Sequence, residues 1–224
     1  MNRCLLCSRM LNRRIVLSFI LSFQRAQPQL LCYNCRNQLV NLQERKVCVS
    51  CGRLANQLQC PDCQKWNDQF NNQALFQYNA FMKEFFQRYK FQGDYWLRKA
   101  FCNDFINFIQ SLVKEDEHLV PIPVDQGTIK VRGFNQVAGL IEGLEFEPVL
   151  ISQRSEQARH QFQRSRRERL QRENPFRVVE PNKVAGAKWV IIDDIYTTGV
   201  TVRQAGRELS KHGARQVRSI TLCR

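Results

Sequence analysis

The second half of the chain alternates between strand-like and helix-like patterns of apolar residues. Short apolar runs predict strands at His118–Val124, Phe146–Ser152, Trp189–Asp193 and Gln216–Leu222. Between them, apolar residues recur at helical spacing over Phe134–Gly143 and Val200–His212, and Gly213 closes the second helix. This alternation predicts an α/β fold with a mainly parallel sheet, whose ligands lie at the carboxyl ends of the strands.

Aromatic residues at helical spacing precede the first of these predicted strands. One face is shared by Phe81, Phe85 and Tyr89, and another by Phe101, Phe105, Ile109 and Leu112. The break at residues 91–94 separates the two predicted helices. Aromatic stripes of this kind usually belong to a hydrophobic core, so we expect these side chains to pack inside the domain.

Eight of the ten cysteines form Cys-x-x-Cys pairs near the start of the chain: Cys4/Cys7, Cys32/Cys35, Cys48/Cys51 and Cys60/Cys63. Two such pairs complete a tetrahedral site, so four pairs predict two structural Zn²⁺ sites. Sequential and cross-braced pairings both remain open. The sequential pairing is favoured because the gap between Cys51 and Cys60 is short enough to close as a hairpin. Cys102 and Cys223 lie in apolar surroundings and are expected in the core.

The cysteine pattern and the α/β pattern divide the chain into two predicted domains. Residues 1–65 would form a double zinc-ribbon-like Cys4 module that depends on metal for its fold. Residues 66–224 would form the α/β domain. The absence of a histidine or carboxylate at ligand spacing among the cysteines favours a structural role for the metal over a catalytic one.

Charge and targeting signals narrow the choice of partners and location. The formal net charge is +14 and the sequence pI is about 9.7, which favours an anionic partner, either nucleic acid or an acidic membrane surface. No secretory signal is recognisable, and the apolar run Ile15–Phe23 is too short to span a bilayer. We therefore expect a cytoplasmic protein, with peripheral association at the inner face of the membrane as an alternative.

The strongest chemical signal is the string from Val190 to Thr201. A predicted buried strand ends in Asp193 and Asp194, and a threonine-rich turn leads into a predicted helix. Carboxylates suit ribose hydroxyls, which donate hydrogen bonds. Hydroxyls, backbone amides and a helix N-terminus suit a phosphate, which accepts hydrogen bonds.

This string closely resembles the phosphoribosyl-pyrophosphate (PRPP) signature of type I phosphoribosyltransferases. The resemblance implies that Asp193 and Asp194 face the ribose 2′- and 3′-hydroxyls. It implies that the 5′-phosphate loop consists of Thr197, Thr198, Gly199, Val200 and Thr201. Without the complete string, the same residues would read as a buried strand, a polar turn and a capped helix.

A second candidate loop follows the sequence Val120-Pro121-Ile122-Pro123. Cationic side chains and the backbone at a helix start could bind a pyrophosphate or another substrate group there. The candidate residues are Lys90, Pro123, Arg132, Gly133, Asn135 and Gln136. The alternative is an ordinary connection between a strand and a helix.

A third candidate is the arginine-rich stretch Arg154–Arg177. It could be an arm that grips phosphates of PRPP or of a nucleic-acid backbone through Arg159, Arg164, Arg166, Arg167 and Arg169. The alternative is a solvated charged surface.

Together these motifs resemble the ComF family of competence proteins, ComFC type, over nearly the whole chain. The likeness rests on the cysteine pairs, the PRPP-like string and three further groups: Lys90–Asp94, Val120–Pro123 with Arg132–Gln136, and Gln161, Arg166–Arg169, Asn174 and Phe176. It implies a type I phosphoribosyltransferase-like α/β fold, a mainly parallel sheet with helices on both faces, preceded by the small Cys4 module.

The family resemblance also implies a process and its partners. These are DNA uptake in natural transformation, single-stranded DNA, a ComFA-type helicase and downstream single-strand-handling proteins. Two functions remain open. The first is a DNA-binding adaptor whose pocket binds either PRPP with Mg²⁺ or a DNA end. The second is an active Mg²⁺-dependent transferase that joins an unknown acceptor to PRPP and releases pyrophosphate. The acceptor and the oligomeric state are left open by the sequence.

Overall fold

A four-stranded parallel sheet forms the centre of the protein. The computed structural model describes residues 3–11, 29–66, 68, 70–153 and 174–224. The sheet has the order β1-β6-β5-β2, with strands β1 (Asn72–Phe76), β2 (Glu117–Pro121), β5 (Lys188–Ile195) and β6 (Gln216–Cys223). Six of the eight residues of β5 are buried, as expected for a central strand of a parallel sheet covered on both faces. The predicted parallel α/β sheet is confirmed.

Seven α-helices and one 3₁₀ helix surround the strands in the described part of the chain. The α-helices are α1 (Tyr33–Arg36), α2 (Ala80–Phe91), α3 (Cys102–Leu112), α4 (Gln126–Arg132), α5 (Gln136–Leu140), α6 (Pro181–Val184) and α7 (Val200–Lys211), and the 3₁₀ helix is Tyr95–Ala100. The predicted aromatic stripe of α2 packs inward, where Phe85 contacts Phe101 at a centroid distance of 4.7 Å. None of the helices described is long and apolar enough to cross a membrane.

One predicted strand is wrong in both extent and placement. The run Phe146–Ser152 yields only β3 (Leu150–Ser152), which pairs antiparallel with β4 (Phe176–Val178) in a separate two-stranded sheet. Pro148 has no N–H group to donate, and the N–H of Glu147 donates to the carbonyl of Leu119 at 2.8 Å. Hydrogen bonding to the β4 side starts only at the Val149 carbonyl, which accepts from the Val179 N–H at 2.9 Å.

Two other predicted elements differ in their boundaries. The predicted helix Phe134–Gly143 is reduced to α5, because Asn135 accepts hydrogen bonds from the N–H groups of Val137 and Ala138 and so caps the helix behind itself. The helix α4 was not predicted. The predicted strand His118–Val124 corresponds to β2, after which the Ile122 N–H still bonds the Ile192 carbonyl at 2.9 Å.

The edge strand β1, which the sequence analysis did not identify, joins the sheet to the cysteine-rich segment. One edge of β1 pairs with β6. On its other side, the Leu42 N–H donates to the Leu75 carbonyl at 2.9 Å, and the Asn72 N–H donates to the Ser50 carbonyl at 2.9 Å. The buried core is continuous from the cysteines to the sheet. The predicted boundary near residue 65 is thus crossed by backbone hydrogen bonds and apolar packing.

Candidate functional site

A cavity of about 310 Å³ opens at the carboxyl end of β5 and β2. Eight of the predicted site residues line it: Lys90, Pro123, Arg132, Gln136, Asp193, Asp194, Thr197 and Thr201. Three segments that are far apart in sequence supply these residues: the end of α2, the β2–α4–α5 connection and the β5–α7 connection. The fold therefore brings the first and second candidate loops together around one cavity.

The two carboxylates are buried, and their negative charges lie close together. Asp193 is 7% exposed and Asp194 is 4% exposed. Burial raises the pKa of Asp193 well above its usual range, and the neighbouring Asp194 raises it further. The ammonium of Lys90 and the Asp194 N–H, which donates to Asp193 Oδ1 at 2.8 Å, oppose this rise.

Lys90 supplies the positive charge that keeps the carboxylate pair partly compensated. Its Nζ lies 2.6 Å from Asp194 Oδ2, and both side chains are largely buried. The contact is an ion pair without hydrogen-bond alignment. Asp194 Oδ2 therefore receives no hydrogen bond from the described residues. This oxygen can accept a hydrogen bond from a ligand once Lys90 moves or is shared.

The threonine-rich turn has the shape that a phosphate loop needs. Thr197 and Thr198 are exposed, and α7 begins at Val200, where backbone N–H groups have no partner within the helix. Gly199 has φ +78°, and a Cβ there would collide with the Tyr196 hydroxyl and the Arg203 guanidinium. Only glycine fits this position. Thr197 and Thr201 line the cavity directly, while residues 198–200 form the turn behind it.

In the second loop, Arg132 and Gln136 lie at the cavity and two other predicted residues do not. Arg132 Nη1 donates to Gln136 Oε1 at 2.8 Å. Burial lowers the pKa of Arg132, although the nearby Asp194 and Asp125 oppose this. Gly133 ends α4 in the left-handed conformation, and the Asn135 side chain caps α5. The structure gives these two residues a local structural use.

Seven further residues line the cavity that were not among the predicted site residues. They are Ile122, Val124, Asp125, Thr128, Ser152, Phe176 and Ile195. Asp125 caps α4, and its Oδ2 accepts a hydrogen bond from the Thr128 hydroxyl at 2.7 Å. Ser152 on β3 and Phe176 on β4 line the cavity and are the cavity residues nearest in sequence to the segment 154–173. The arm's arginines, Arg159, Arg164, Arg166, Arg167 and Arg169, lie outside the described residues.

Two arginines hold Tyr196, the residue that precedes the threonines. Arg203 is 2% exposed. Its Nη1 bonds the Tyr196 hydroxyl, its Nε donates to Asp68 Oδ2 at 3.0 Å, and its Cζ lies 4.4 Å from the centroid of the Trp66 ring. Arg224 Nη1 donates to the Tyr196 carbonyl at 3.2 Å. The residue at the start of the threonine-rich turn is thus fixed from two sides.

Arg224 also links this loop to the cysteine-rich segment. Its Nη2 donates to Cys51 Sγ at 3.4 Å, while its Cζ lies 5.0 Å from the centroid of the Tyr196 ring. One guanidinium therefore contacts both a cysteine sulfur and the backbone at the start of the threonine-rich turn. No sequence motif indicates this residue, because the contact joins positions far apart in the chain.

The eight paired cysteines form two clusters with the preferred sequential grouping: Cys4, Cys7, Cys32 and Cys35, and Cys48, Cys51, Cys60 and Cys63. Within each cluster the four sulfur atoms lie within 4.8 Å of one another. The Sγ atoms of Cys4 and Cys35 are 3.7 Å apart, and those of Cys7 and Cys32 are 3.5 Å apart. A tetrahedron with metal–sulfur bonds of about 2.3 Å has edges of about 3.8 Å. Both clusters could therefore hold a metal ion.

The environment of the clusters favours thiolates at selected positions. Burial works against ionisation of Cys4, but the backbone N–H groups of Cys7 and Cys32 outweigh it and lower the pKa to about 6. Burial likewise opposes ionisation of Cys48, and the N–H groups of Cys60 and Cys51 lower its pKa to about 7. Cys102 and Cys223 are buried away from both clusters, as predicted.

Comparison with known proteins agrees with this architecture. Residues 128–224 match the phosphoribosyl transferase domain family. The competence protein ComFC of Streptococcus pneumoniae is 36% identical over 99% of this chain and 100% of that protein. The competence protein ComFC of Bacillus subtilis is 33% identical over 99% of this chain and 94% of that protein.

A more distant relative matches half of the chain. The DNA utilization protein YhgH of Escherichia coli O157:H7 is 32% identical over 48% of this chain and 49% of that protein. The matches to the two competence proteins, in contrast, extend over both the cysteine clusters and the cavity. The chain belongs to the ComFC family of competence proteins, with a phosphoribosyltransferase-like domain.

Proposed function

We propose that this protein acts in DNA uptake during natural transformation, where it binds single-stranded DNA and helps its internalisation together with a ComFA-type helicase. Its pocket binds PRPP or a related sugar phosphate. The observation that carries the proposal is the buried pair Asp193–Asp194 beside a threonine-rich loop, in a chain of the ComFC family.

The chemistry of the cavity suits a phosphorylated ribose. Asp193 and Asp194 accept hydrogen bonds from the ribose hydroxyls, and the N-terminal N–H groups of α7 with Thr197 and Thr201 donate to the 5′-phosphate. Lys90 and Arg132 also line the cavity and supply positive charge for a pyrophosphate. Ribose hydroxyls would also supply the hydrogen-bond donor that Asp194 Oδ2 lacks among the described residues.

Mg²⁺ fits this donor set as a companion of PRPP rather than as a resident ion. It typically binds through one or two carboxylates together with substrate phosphates and retains several waters. Asp193 and Asp194 offer the carboxylates, and Lys90 already compensates one of them. Bound with PRPP, Mg²⁺ would neutralise pyrophosphate charge.

The same pocket leaves an active phosphoribosyltransferase as a second candidate function. Reactions of this class require positioning and charge stabilisation more than a dedicated nucleophile, and the residues for both are present. Release of pyrophosphate from PRPP in the presence of a nucleobase or a DNA end tests it. The adaptor role predicts binding without turnover.

The two Cys4 clusters are proposed to hold structural Zn²⁺. All four ligands in each cluster are thiols, which leaves no open coordination position for catalysis. Arg224 contacts both the second cluster and the residue at the start of the phosphate loop, so a metal in this cluster would support the pocket as well as the module.

The proposed location is cytoplasmic, with peripheral association at the inner face of the membrane as the alternative. Incoming DNA emerges at that face.

A gel-shift series on labelled oligonucleotides tests the DNA-binding part of the proposal. We expect binding of single-stranded DNA without strong sequence preference, with affinity that falls as salt rises, because phosphate contacts release counterions. Lack of any shift at low salt would rule out direct DNA binding. The downstream partners are tested separately by pull-down of a ComFA-type helicase in the presence of DNA.

A further inference from the structure

Exposed aromatic rings with cations over them flank the turn that follows α2, the helix whose Lys90 lines the cavity. Phe91 is 73% exposed, Trp96 is 44% exposed and Val131 is 81% exposed. Phe91 and Trp96 flank the turn between α2 and the 3₁₀ helix, and Val131 lies near the end of α4. We define the aromatic platform as Phe91, Tyr95, Trp96 and the cations that lie over their rings.

Each ring of the aromatic platform carries its own cation. Arg132 Cζ lies 5.1 Å from the centroid of the Phe91 ring, Arg98 Cζ lies 3.8 Å from that of Tyr95, and Lys99 Nζ lies 3.8 Å from that of Trp96. At these distances a cation is attracted to the negatively polarised face of an aromatic ring. The surface therefore alternates apolar planes with positive charge.

The acids near the platform are already held in ion pairs. Asp94 Oδ2 lies 3.0 Å from Arg88 Nη2, and Glu142 Oε2 lies 2.8 Å from Arg98 Nη2. They therefore offset only part of the local positive charge. Neither Lys99 nor Arg132 forms an ion pair with a described residue, although Arg132 donates to Gln136, so both can meet an anionic ligand that approaches the rings.

The platform meets the phosphoribosyl-like cavity at Arg132. Arg132 belongs to both, since its side chain lines the cavity and its guanidinium lies over Phe91. Lys90 lines the cavity one position before Phe91. A linear ligand that stacks on Phe91 therefore lies beside the cavity.

We propose that the aromatic platform is a binding surface for single-stranded DNA, with bases stacked on Phe91 and Trp96 and phosphates held by Arg132 and Lys99. This inference deepens the proposed function and rests on it, because it specifies where the DNA path meets the pocket. Unpaired bases stack on aromatic rings with little sequence preference, and the backbone follows positive charge. Double-stranded DNA hides its base faces and cannot use the rings.

The test compares oligonucleotide affinity of the full chain and its variants by fluorescence anisotropy, using labelled oligo(dT). Phe91→Ala combined with Trp96→Ala is expected to raise Kd by about 10-fold or more, since stacking contributes substantially per base. Phe91→Trp combined with Trp96→Phe keeps both rings and is expected to remain within about threefold of wild type. Tyr33→Ala is the matched control, because Tyr33 is 74% exposed on the cysteine-rich segment.

A probe without bases separates stacking from a loss of fold or charge. An abasic oligonucleotide of equal length is expected to bind the wild type more weakly than oligo(dT) does. It is expected to bind the double alanine variant about as well as oligo(dT) does. The slope of log Kd against log salt should stay unchanged in that variant, because counterion release counts phosphates rather than bases. Metal content and melting temperature confirm that the variants fold.

The possible failures have different meanings. If the wild type binds neither probe, DNA binding itself is refuted and the platform is refuted with it. If the wild type binds oligo(dT) but the double alanine variant matches Tyr33→Ala, the DNA lies elsewhere and only the platform is refuted. Equal binding of abasic and base-containing probes by the wild type also refutes it.

Discussion

Replacing Arg224 by methionine is expected to destabilise the protein far more than removing an ordinary surface arginine. Arg224 donates to the Tyr196 carbonyl and to Cys51 Sγ, and its guanidinium lies over the Tyr196 ring. Methionine fills much of the same space but leaves both acceptors without this donor. The phosphate loop and the second cysteine cluster lose their shared contact.

The magnitude follows from these contacts. A hydrogen bond from a charged donor contributes about 1.5–3 kcal/mol, and a partly exposed cation–π contact adds about 0.5–1 kcal/mol. Allowing for relaxation of the loop, we expect Arg224→Met to lower the free energy of unfolding by about 3 kcal/mol. Arg224→Lys retains the charge but cannot reach both acceptors with one planar fork, so it should recover no more than about half of this loss.

The assay is urea unfolding of the full chain at a constant free Zn²⁺ concentration. Arg53→Met provides the control, because Arg53 makes an exposed ion pair with Asp62 in the same cysteine-rich segment at 2.9 Å. Its loss is expected to cost less than about 1 kcal/mol. If Arg224→Met and Arg53→Met destabilise the protein equally, the inferred support of the phosphate loop by Arg224 is wrong.

Three further predictions follow from particular contacts. Gly199→Ala is expected to cost at least about 2 kcal/mol in urea unfolding, because alanine adds left-handed backbone strain of about 1–2 kcal/mol and a collision with Tyr196. Glu117→Gln should cost about 3 kcal/mol at pH 7, since it leaves Arg218 without the carboxylate that it contacts at 2.7 Å. Chelation of metal is expected to lower the melting temperature by about 10 °C or more, measured by circular dichroism, because structural zinc contributes directly to folding.

The Glu117 prediction also fixes a pH dependence. The hydrogen bonds from Arg218 lower the pKa of Glu117 below its ordinary value of 4.5, although burial opposes this. The folded state therefore favours the carboxylate, and the stabilisation is present above pH 4.5 and is lost as the pH falls through the lowered pKa. The stability difference between wild type and Glu117→Gln should shrink in that acid range. A difference that stays constant from pH 7 to pH 3 would contradict this.

The other two predictions have their own controls. Gly143→Ala has a positive φ of +94° but no atom near the added Cβ, so it measures the backbone strain without the collision. Equal costs at Gly143 and Gly199 would show that the contact with Tyr196 does not matter. An unchanged melting temperature after complete metal removal would show that the cysteine clusters do not hold structural zinc.

The sequence predicted those parts of the site whose residues are consecutive. Strand β5, the carboxylates, the threonines and α7 follow one another within about two dozen positions, so local apolar pattern and turn chemistry define them. The cysteine grouping was favoured for the same reason, since Cys51 and Cys60 are close in the chain. The helix α4 was not predicted, because only Gly127 among its residues is buried and the helix therefore has no periodic apolar face.

The parts that the sequence did not predict depend on distant contacts. Strand β1 is defined by its pairing with β6, and Asn72 bonds both Thr221 and Ser219 across that pair. Arg203 and Arg224 acquire their roles from Asp68 and Cys51, which lie more than a hundred residues away. A single sequence carries no periodic signal for such contacts. Arginines in a chain with this charge would otherwise be assigned to the surface.

Isothermal titration with PRPP and Mg²⁺ tests the central claim, that the cavity is a phosphoribosyl pocket, most directly. Wild type is expected to bind, and Asp193→Ala combined with Asp194→Ala is expected to lose at least about 100-fold in affinity, because two acceptors for ribose hydroxyls are removed. The control, Asp62→Ala with Glu180→Ala, removes two partly exposed carboxylates and should bind like wild type. Binding heats in the Asp193/Asp194 variant that equal those of the control would contradict the account.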